Sequence, residues 1–243
     1  MPAAPPRLVL ASASPRRKEL LTRLTAPFEI IASGAEENPW NQPYRDFPTI
    51  KLPAPYDVAP DSNPILWAWR KAQAVVPQAT AGGRDALILG ADTIVVVDQD
   101  VLGKPRDAAE ARTMLRRLAR RSHMVVSGWA LVLARQTAEG PRDVSTARYG
   151  YVSSLVQMGD YSENVIDWYI RSREPLDKAG AYAVQGLGVN LVKRVEGCYT
   201  AVVGLPLCSI RAALVSLGWP VRAGEIWHAD CQGPYCTSPP AGG

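Results

Sequence analysis

A carboxylate inside an apolar strand is the first sign of chemistry in this sequence. Asp92 interrupts Leu87–Val97, a run of mainly aliphatic, β-branched residues that turns at Asp98-Gln99-Asp100, the pattern of a buried strand returning as a short hairpin. Burying that charge costs several kcal/mol unless it is paired, bound to metal or open to a cleft; the nearest cation across the proposed hairpin is Lys104. Asp92 is therefore either a hydrogen-bonded structural acid or a functional one. A second cluster lies near the start, where Ser12, Ser14, Arg16, Arg17 and Lys18 surround Pro15. Serine followed by proline reads as an N-cap and first helical residue, so free backbone N–H groups, the helix dipole and fixed cations converge where a phosphate would sit. Glu36-Glu37 add an acidic pair. Carboxylates that hold Mg²⁺ or Mn²⁺ against phosphates, with lysine and arginine countering charge on the oxygens, need these residue types.

Other chemistries are excluded or disfavoured. There is no Gly-x-x-x-x-Gly-Lys-Ser/Thr loop and no Gly-x-Gly-x-x-Gly turn, which removes the usual NTPase and dinucleotide readings. With His123 and His228 as the only histidines, no serine or cysteine nucleophile has a base to activate it. Cys198, Cys208, Cys231 and Cys236 come too late in the chain for a disulfide framework, and with His228 they match no zinc spacing. The net charge of +4 suits an anionic small molecule. No apolar run approaches a membrane span, so a cytoplasmic protein with no membrane or nucleic-acid partner is expected.

The elements that must position these residues alternate irregularly. A strand at Arg7–Ser12 leads into the Ser14-Pro15 helix with Leu20, Leu21 and Leu24 on one face, and a second strand covers Phe28–Ile31. The proline-dense stretch 38–63 excludes regular structure. Helix resumes at Pro64 behind an Asn63 or Ser62 cap; a lysine in an amphipathic helix is ordinarily solvated, and periodicity alone gives Lys71 no role. Asp107–Glu110 and Asp160–Glu163 read as capping boxes. Long strands are expected over Met124–Leu133 and Val144–Leu155, short ones around Val189–Val195 and Tyr199–Val203, and a last helix after Pro206 up to Gly218. The small residues around Gly180 would let backbone approach a ligand, within reach of Asp177, Lys178 and Gln185. An α/β fold with a mixed sheet follows.

Leu10-Ala11-Ser12-Ala13-Ser14-Pro15-Arg16-Arg17, Glu36-Glu37, Lys71-Ala72, Gly90-Ala91-Asp92-Thr93, Gly103-Lys104-Pro105, Ser127-Gly128, Glu174–Tyr182 through Gln185-Gly186, and Val203-Gly204-Leu205-Pro206 occur in an order that resembles the Maf-like nucleoside triphosphate pyrophosphatases. The resemblance covers about residues 7–217 and departs from the family pattern at the long 38–63 segment and at Trp129. It implies a single domain over 1–218 with 38–63 as an insertion and 219–243 as a tail. The implied fold is an elongated mixed β-sheet with flanking helices and a cleft between two lobes, similar to inosine triphosphate pyrophosphatases.

The implied reaction is hydrolysis of a nucleoside triphosphate between its α- and β-phosphates, giving the monophosphate and pyrophosphate, with a divalent metal, Mg²⁺ or Mn²⁺. In that pattern Asp92 is the proton acceptor, Glu37 its acidic partner in holding the metal, and Lys71 a cleft lysine. Ser12, Arg16, Arg17 and Lys104 match phosphate- or base-side contacts; Arg16, Thr93 and Gln185 match positions that set base preference. Thr93 with Gln185 looks like the branch acting on dTTP and UTP, with modified pyrimidine nucleotides as further candidates, and a homodimer is implied too. Two other readings stand beside it: a non-catalytic nucleotide-binding regulator of cell division, which loss of Asp92 or Glu37 would have favoured, and a nucleic-acid surface built on Arg116, Arg117, Arg120 and Arg121.

Overall fold

A computed structural model describes residues 6–25, 27–34, 59, 62–135 and 143–222; Glu36, Glu37 and most of 38–63 lie outside them. The strands are β1 (Arg7–Leu10), β2 (Glu29–Ile30), β3 (Ala86–Val97), β4 (Asp100–Leu102), β5 (Ser122–Arg135), β6 (Asp143–Met158) and β7 (Val192–Glu196). The helices are α1 (Pro15–Leu24), α2 (Pro64–Ala74), α3 (Val76–Ala79), α4 (Ala108–Leu118), α5 (Glu163–Arg171), α6 (Tyr199–Val203) and α7 (Leu207–Ser216). Together the strands form one mixed sheet in the order β2-β1-β3-β5-β6-β7, with β4 joined to β3. The fold is thus mixed α/β with helices flanking the sheet.

Strand β3 is the pivot of this sheet. Along one edge it pairs antiparallel with β5 from Ala86 to Val96. Along the other, β1 pairs with it in parallel only as far as Leu10↔Leu89, and β4 takes over antiparallel only at Val95↔Leu102. Residues 90–94 of β3 therefore have a strand on one side and an opening on the other. Gly90-Ala91-Asp92-Thr93 borders that opening.

Because side chains alternate across a strand, β3 feeds two separate cores. Leu87, Leu89, Ala91, Val95 and Val97 pack with α1, α4, α5 and α7 in the larger one. Ile88 packs with Ala68, Trp69 and Ala72 of α2 on the other face. The hairpin turn places Asp98 and Gln99 at φ of 51° and 69°, and Arg117 and Arg121 bridge to Asp98. The remaining arginines of the basic run are matched as well: Arg116 pairs with Glu163 and Arg120 with Asp160. These exposed pairs are screened by water and contribute little to stability. Among the described residues no helix is long and apolar enough to cross a membrane.

Several local expectations are met and several corrected. Ser14 caps α1 and Asn63 caps α2, accepting from the N–H groups of Ile65 and Leu66. At α4, Asp107 accepts from Glu110 N, but the Glu110 carboxylate turns to Arg106 N instead of the cap residue. The proposed box at Asp160–Glu163 does not form. Ser162 is the cap residue there, without a side-chain bond, while Asp160 is drawn to Arg120 in the turn after α4 and Glu163 to Arg116 of α4. Residues 186–191 form a 3-10 turn, so the strand expected around Val189–Val195 begins at Val192. Tyr199–Val203 is helical, not a strand: Gly197 and Gly204 bend the chain at φ of 115° and 126°, and Ser127 of β5 donates to the Ala201 carbonyl at 2.6 Å. Tertiary contacts override the β propensity of that short stretch.

Candidate active site

Asp92 meets its cation in Lys71, not Lys104. Lys71 Nζ donates to Asp92 Oδ1 at 2.6 Å, with the lysine side chain 5% and the aspartate 18% exposed. Two glycines allow this. Gly90 precedes Asp92 on the same face of β3, and a Cβ there would stand 1.8 Å from the Ala68 carbonyl oxygen of α2. Gly128 pairs with Asp92 across the ladder, and a Cβ there would lie 2.5 Å from Ile65 N. The α2 backbone rests on bare glycines, which brings Lys71 down to the carboxylate. The second carboxylate oxygen, Oδ2, takes no hydrogen bond from the described residues.

Thr93, one residue on, faces the opposite side of the sheet. Its Oγ1 shares a hydrogen bond with Ser127 Oγ at 2.8 Å and accepts from Arg17 Nη2 at 3.5 Å. Arg17 also donates to the Gly204 carbonyl at 3.0 Å and to Ser12 Oγ at 3.4 Å. One guanidinium thus ties the N-terminus of α1 to β3 and to the turn after α6. Side chains from both faces of the sheet reach one cavity because it runs through the opening beside residues 90–94.

That cavity has a volume of about 460 Å³, and Ser12, Arg16, Arg17, Lys71, Asp92, Thr93, Lys104, Asp177, Lys178 and Gln185 all lie on its wall. The structure brings together every candidate residue except Glu37, which is outside the described residues. Cations outnumber carboxylates on this wall, so the cavity suits a polyanion. Arg16 forms no hydrogen bond with the described residues, which leaves its guanidinium available to a ligand.

The far wall is a tightly turned segment. Arg173, Gly180, Ala181 and Gly186 all adopt positive φ, between 59° and 70°, and Gly180 N bonds to the Gly103 carbonyl at 3.0 Å, next to Lys104. Lys178 Nζ donates to Asp177 Oδ1 and to the Glu174 carbonyl. Burial pushes the Asp177 carboxyl up, but Lys178 and Arg16 outweigh it and hold the group below its ordinary value. Phenols fasten the segment from beneath: Tyr199 donates to the Val184 carbonyl and Tyr169 to Glu174, while the Tyr182 hydroxyl meets His123 Nε2 at 2.6 Å.

Sequence reasoning assigned no site role to Ser33, which also lies on the cavity wall, or to Ser127 and Glu174, which support it from behind. Only the polar interruption of apolar sequence at Ser127 and Glu174 signals them; nothing local marks Ser33.

For a metal, the donor set among the described residues is sparse. Asp92 and Asp177 are the carboxylates on the wall, and among the described residues no three His, Cys, Asp or Glu side chains come together. Such a wall suits an ion that takes one or two protein oxygens and keeps other ligands from water or phosphate, as Mg²⁺ commonly does.

Comparison with known proteins follows the same lines. A family model described as Maf-like protein matches residues 7–217. A dTTP/UTP pyrophosphatase from Syntrophus aciditrophicus is 39% identical, covering 90% of this chain and 94% of its own. Those from Bacillus velezensis and Moorella thermoacetica are 41% and 43% identical, each covering 95% of its own length and 86% and 87% of this chain. Among solved structures, a nucleoside-triphosphatase / dITP/XTP pyrophosphatase from Mycobacterium abscessus aligns with a TM-score of 0.26 and 19% identity over 62% of this chain and 74% of that one, a likeness too slight to bear on fold or function. Matched by the family model over residues 7–217 and by relatives about 40% identical over most of its length, this chain belongs to the Maf-like protein family.

Proposed function

We propose that the protein is a nucleoside triphosphate pyrophosphatase that hydrolyses dTTP and UTP to the monophosphate and pyrophosphate, with modified pyrimidine nucleotides as further candidate substrates. The observation that carries this reading is the Lys71–Asp92 pair at 2.6 Å on the wall of a cavity otherwise rich in cations. Relatives named dTTP/UTP pyrophosphatase at about 40% identity support the reaction class.

In this reading Arg16, Lys104 and Lys178 take the phosphate oxygens, with Ser12 and the N-terminal N–H groups of α1 beside them. Asp92 and Glu37 would hold a divalent ion, which would supply further neutralisation of charge developing on the phosphate oxygens. Lys71 fixes the orientation of the Asp92 carboxylate through Oδ1, which leaves Oδ2 to accept a proton from the attacking water. As the water oxygen bonds to phosphorus, the phosphoanhydride bond breaks and its electron pair leaves on the bridging oxygen. Gln185 can both donate to and accept from the edge of a pyrimidine, and a polar site of that kind rejects a base that leaves it unpaired. Thr93 is already bonded to Ser127 and Arg17, so its part in base choice is to hold the wall.

Pyrophosphate release with Mg²⁺ or Mn²⁺ across dTTP, UTP, CTP, dATP, GTP and 7-methyl-GTP tests the proposal. Selective release from dTTP and UTP supports both reaction and base preference. Release from another nucleotide keeps the reaction and discards the preference; silence throughout discards both.

A further inference from the structure

Gln185 is one residue between two anchors. Before it, the Val184 carbonyl accepts from Tyr199 Oη at 3.0 Å. After it comes Gly186 at φ 61°, and then a pair of consecutive N–H groups that converge on a single side chain. Glu174 Oε2 accepts from Leu187 N at 3.0 Å, while Oε1 accepts from Gly188 N at 3.1 Å and from Tyr169 Oη at 3.0 Å. Successive N–H groups beyond a left-handed residue make an anion-binding nest; here the chain fills it with its own carboxylate. The fit is close, since a Cβ on Gly186 would lie 2.7 Å from Glu174 Oε2. The same residue grips the other flank of the wall, where its backbone carbonyl accepts from Lys178 Nζ at 2.7 Å.

We propose that Glu174 is a positioning residue for base selection: its carboxylate sets the path of residues 186–188 and thereby the place of the Gln185 carboxamide on the cavity wall. Glu174 is not itself on that wall, so it acts through Gln185 and touches no substrate. The inference rests on the pyrophosphatase reading for its functional half. Only a carboxylate satisfies the donors present, because all of them are N–H or O–H groups and both oxygens must accept. Burial together with the Glu174 charge pushes the Tyr169 phenol above its ordinary value, so it remains a donor at working pH.

The test is Glu174→Gln, which keeps size and shape but turns an amide NH₂ toward a backbone N–H. Amide exchange at Leu187 and Gly188 and the kinetic constants for dTTP and dCTP are measured in the same preparations, with Tyr169→Phe alongside. In Glu174→Gln we expect faster exchange at one or both amides. KM for dTTP rises roughly tenfold, the order expected for one charge-assisted hydrogen bond, while kcat changes less than about twofold because Lys71 and Asp92 are untouched. Preference for dTTP over dCTP shrinks accordingly. Tyr169→Phe retains both backbone bonds and keeps the preference. Unchanged protection and preference in Glu174→Gln overturns the inference, as does an equal loss of preference in Tyr169→Phe, which would mark general loosening. A wild-type protein that turns over no nucleotide is a separate result: it overturns the pyrophosphatase reading and the functional half with it, while the exchange data still decide the pinning.

Discussion

Lys71 and Asp92 illustrate what a half-buried ion pair can do that a surface pair cannot. The exposed pairs of α4 are screened by water, whereas the Lys71 ammonium, 5% exposed, fixes one carboxylate oxygen and leaves the other for chemistry. Asp92→Asn keeps the shape and removes the proton acceptor, so turnover should fall by about 10²–10⁴-fold while nucleotide binding, measured by titration calorimetry, persists. A variant that retains most of its turnover would remove Asp92 from that role. Gln185→Glu loses the donor half of the carboxamide; the ratio of kcat/KM between dTTP and other nucleotides should change more than kcat on the best substrate, which the same nucleotide panel reads out. The place of Asp92 within a buried strand was legible in the sequence because apolar, β-branched residues flank it on both sides. The burial of Lys71 was not legible from its helix, since nothing near it says that a glycine two residues before Asp92 would admit α2 so closely.

At the scale of elements, the contact of α2 with β3 and β5 is a backbone-to-backbone fit. Gly90→Ala would thrust a methyl group to within 1.8 Å of the Ala68 carbonyl oxygen, and backbone cannot give way as a flexible side chain would. The helix must lift, at a cost of about 1–3 kcal/mol for overpacking, and Lys71 lifts with it. A displacement near 1 Å costs on the order of a hundredfold in rate. Thermal unfolding and pyrophosphate release on the same variant should therefore both fall, the rate far more than stability requires. On the other face, Trp129 is fully buried, donates to Ser209 of α7 at 3.0 Å and lies opposite Gly150 of β6. The bulk of Trp129 is thus accommodated by an absent side chain on the neighbouring strand, where a Cβ on Gly150 would lie 3.0 Å from the indole. Elements with strong local signals, such as the caps at Ser14 and Asn63 and the hairpin at Asp98-Gln99, were readable from sequence. Those decided by distant partners were not: α6 needs Ser127, and Asp160 and Glu163 are taken by Arg120 and Arg116, some 40 and 47 residues earlier in the chain.

For the molecule as a whole, acid stability has an identifiable contributor. His123 is buried against Tyr182, and burial pulls its pKa from 6.5 down to about 4. Between those values the unfolded chain binds a proton that the folded chain refuses, so stability is full above about pH 6.5 and is lost as pH falls toward 4. The total is about 3 kcal/mol. Tm should drop by roughly 4–8 °C between pH 7 and pH 5, before most carboxylates titrate, and His123→Phe should flatten that slope. An equal slope in the variant would place the effect elsewhere. The cavity, finally, is closed by a contact between chain positions 187 residues apart, Arg17 to the Gly204 carbonyl. A chain emerging from the ribosome can pair β3 with β5 and β5 with β6 as soon as each is made, because those partners are near neighbours in sequence. The wall that Arg17 holds must wait until α6 and the turn beyond it have been synthesised, so the nascent protein acquires that wall only after Gly204 has left the ribosome.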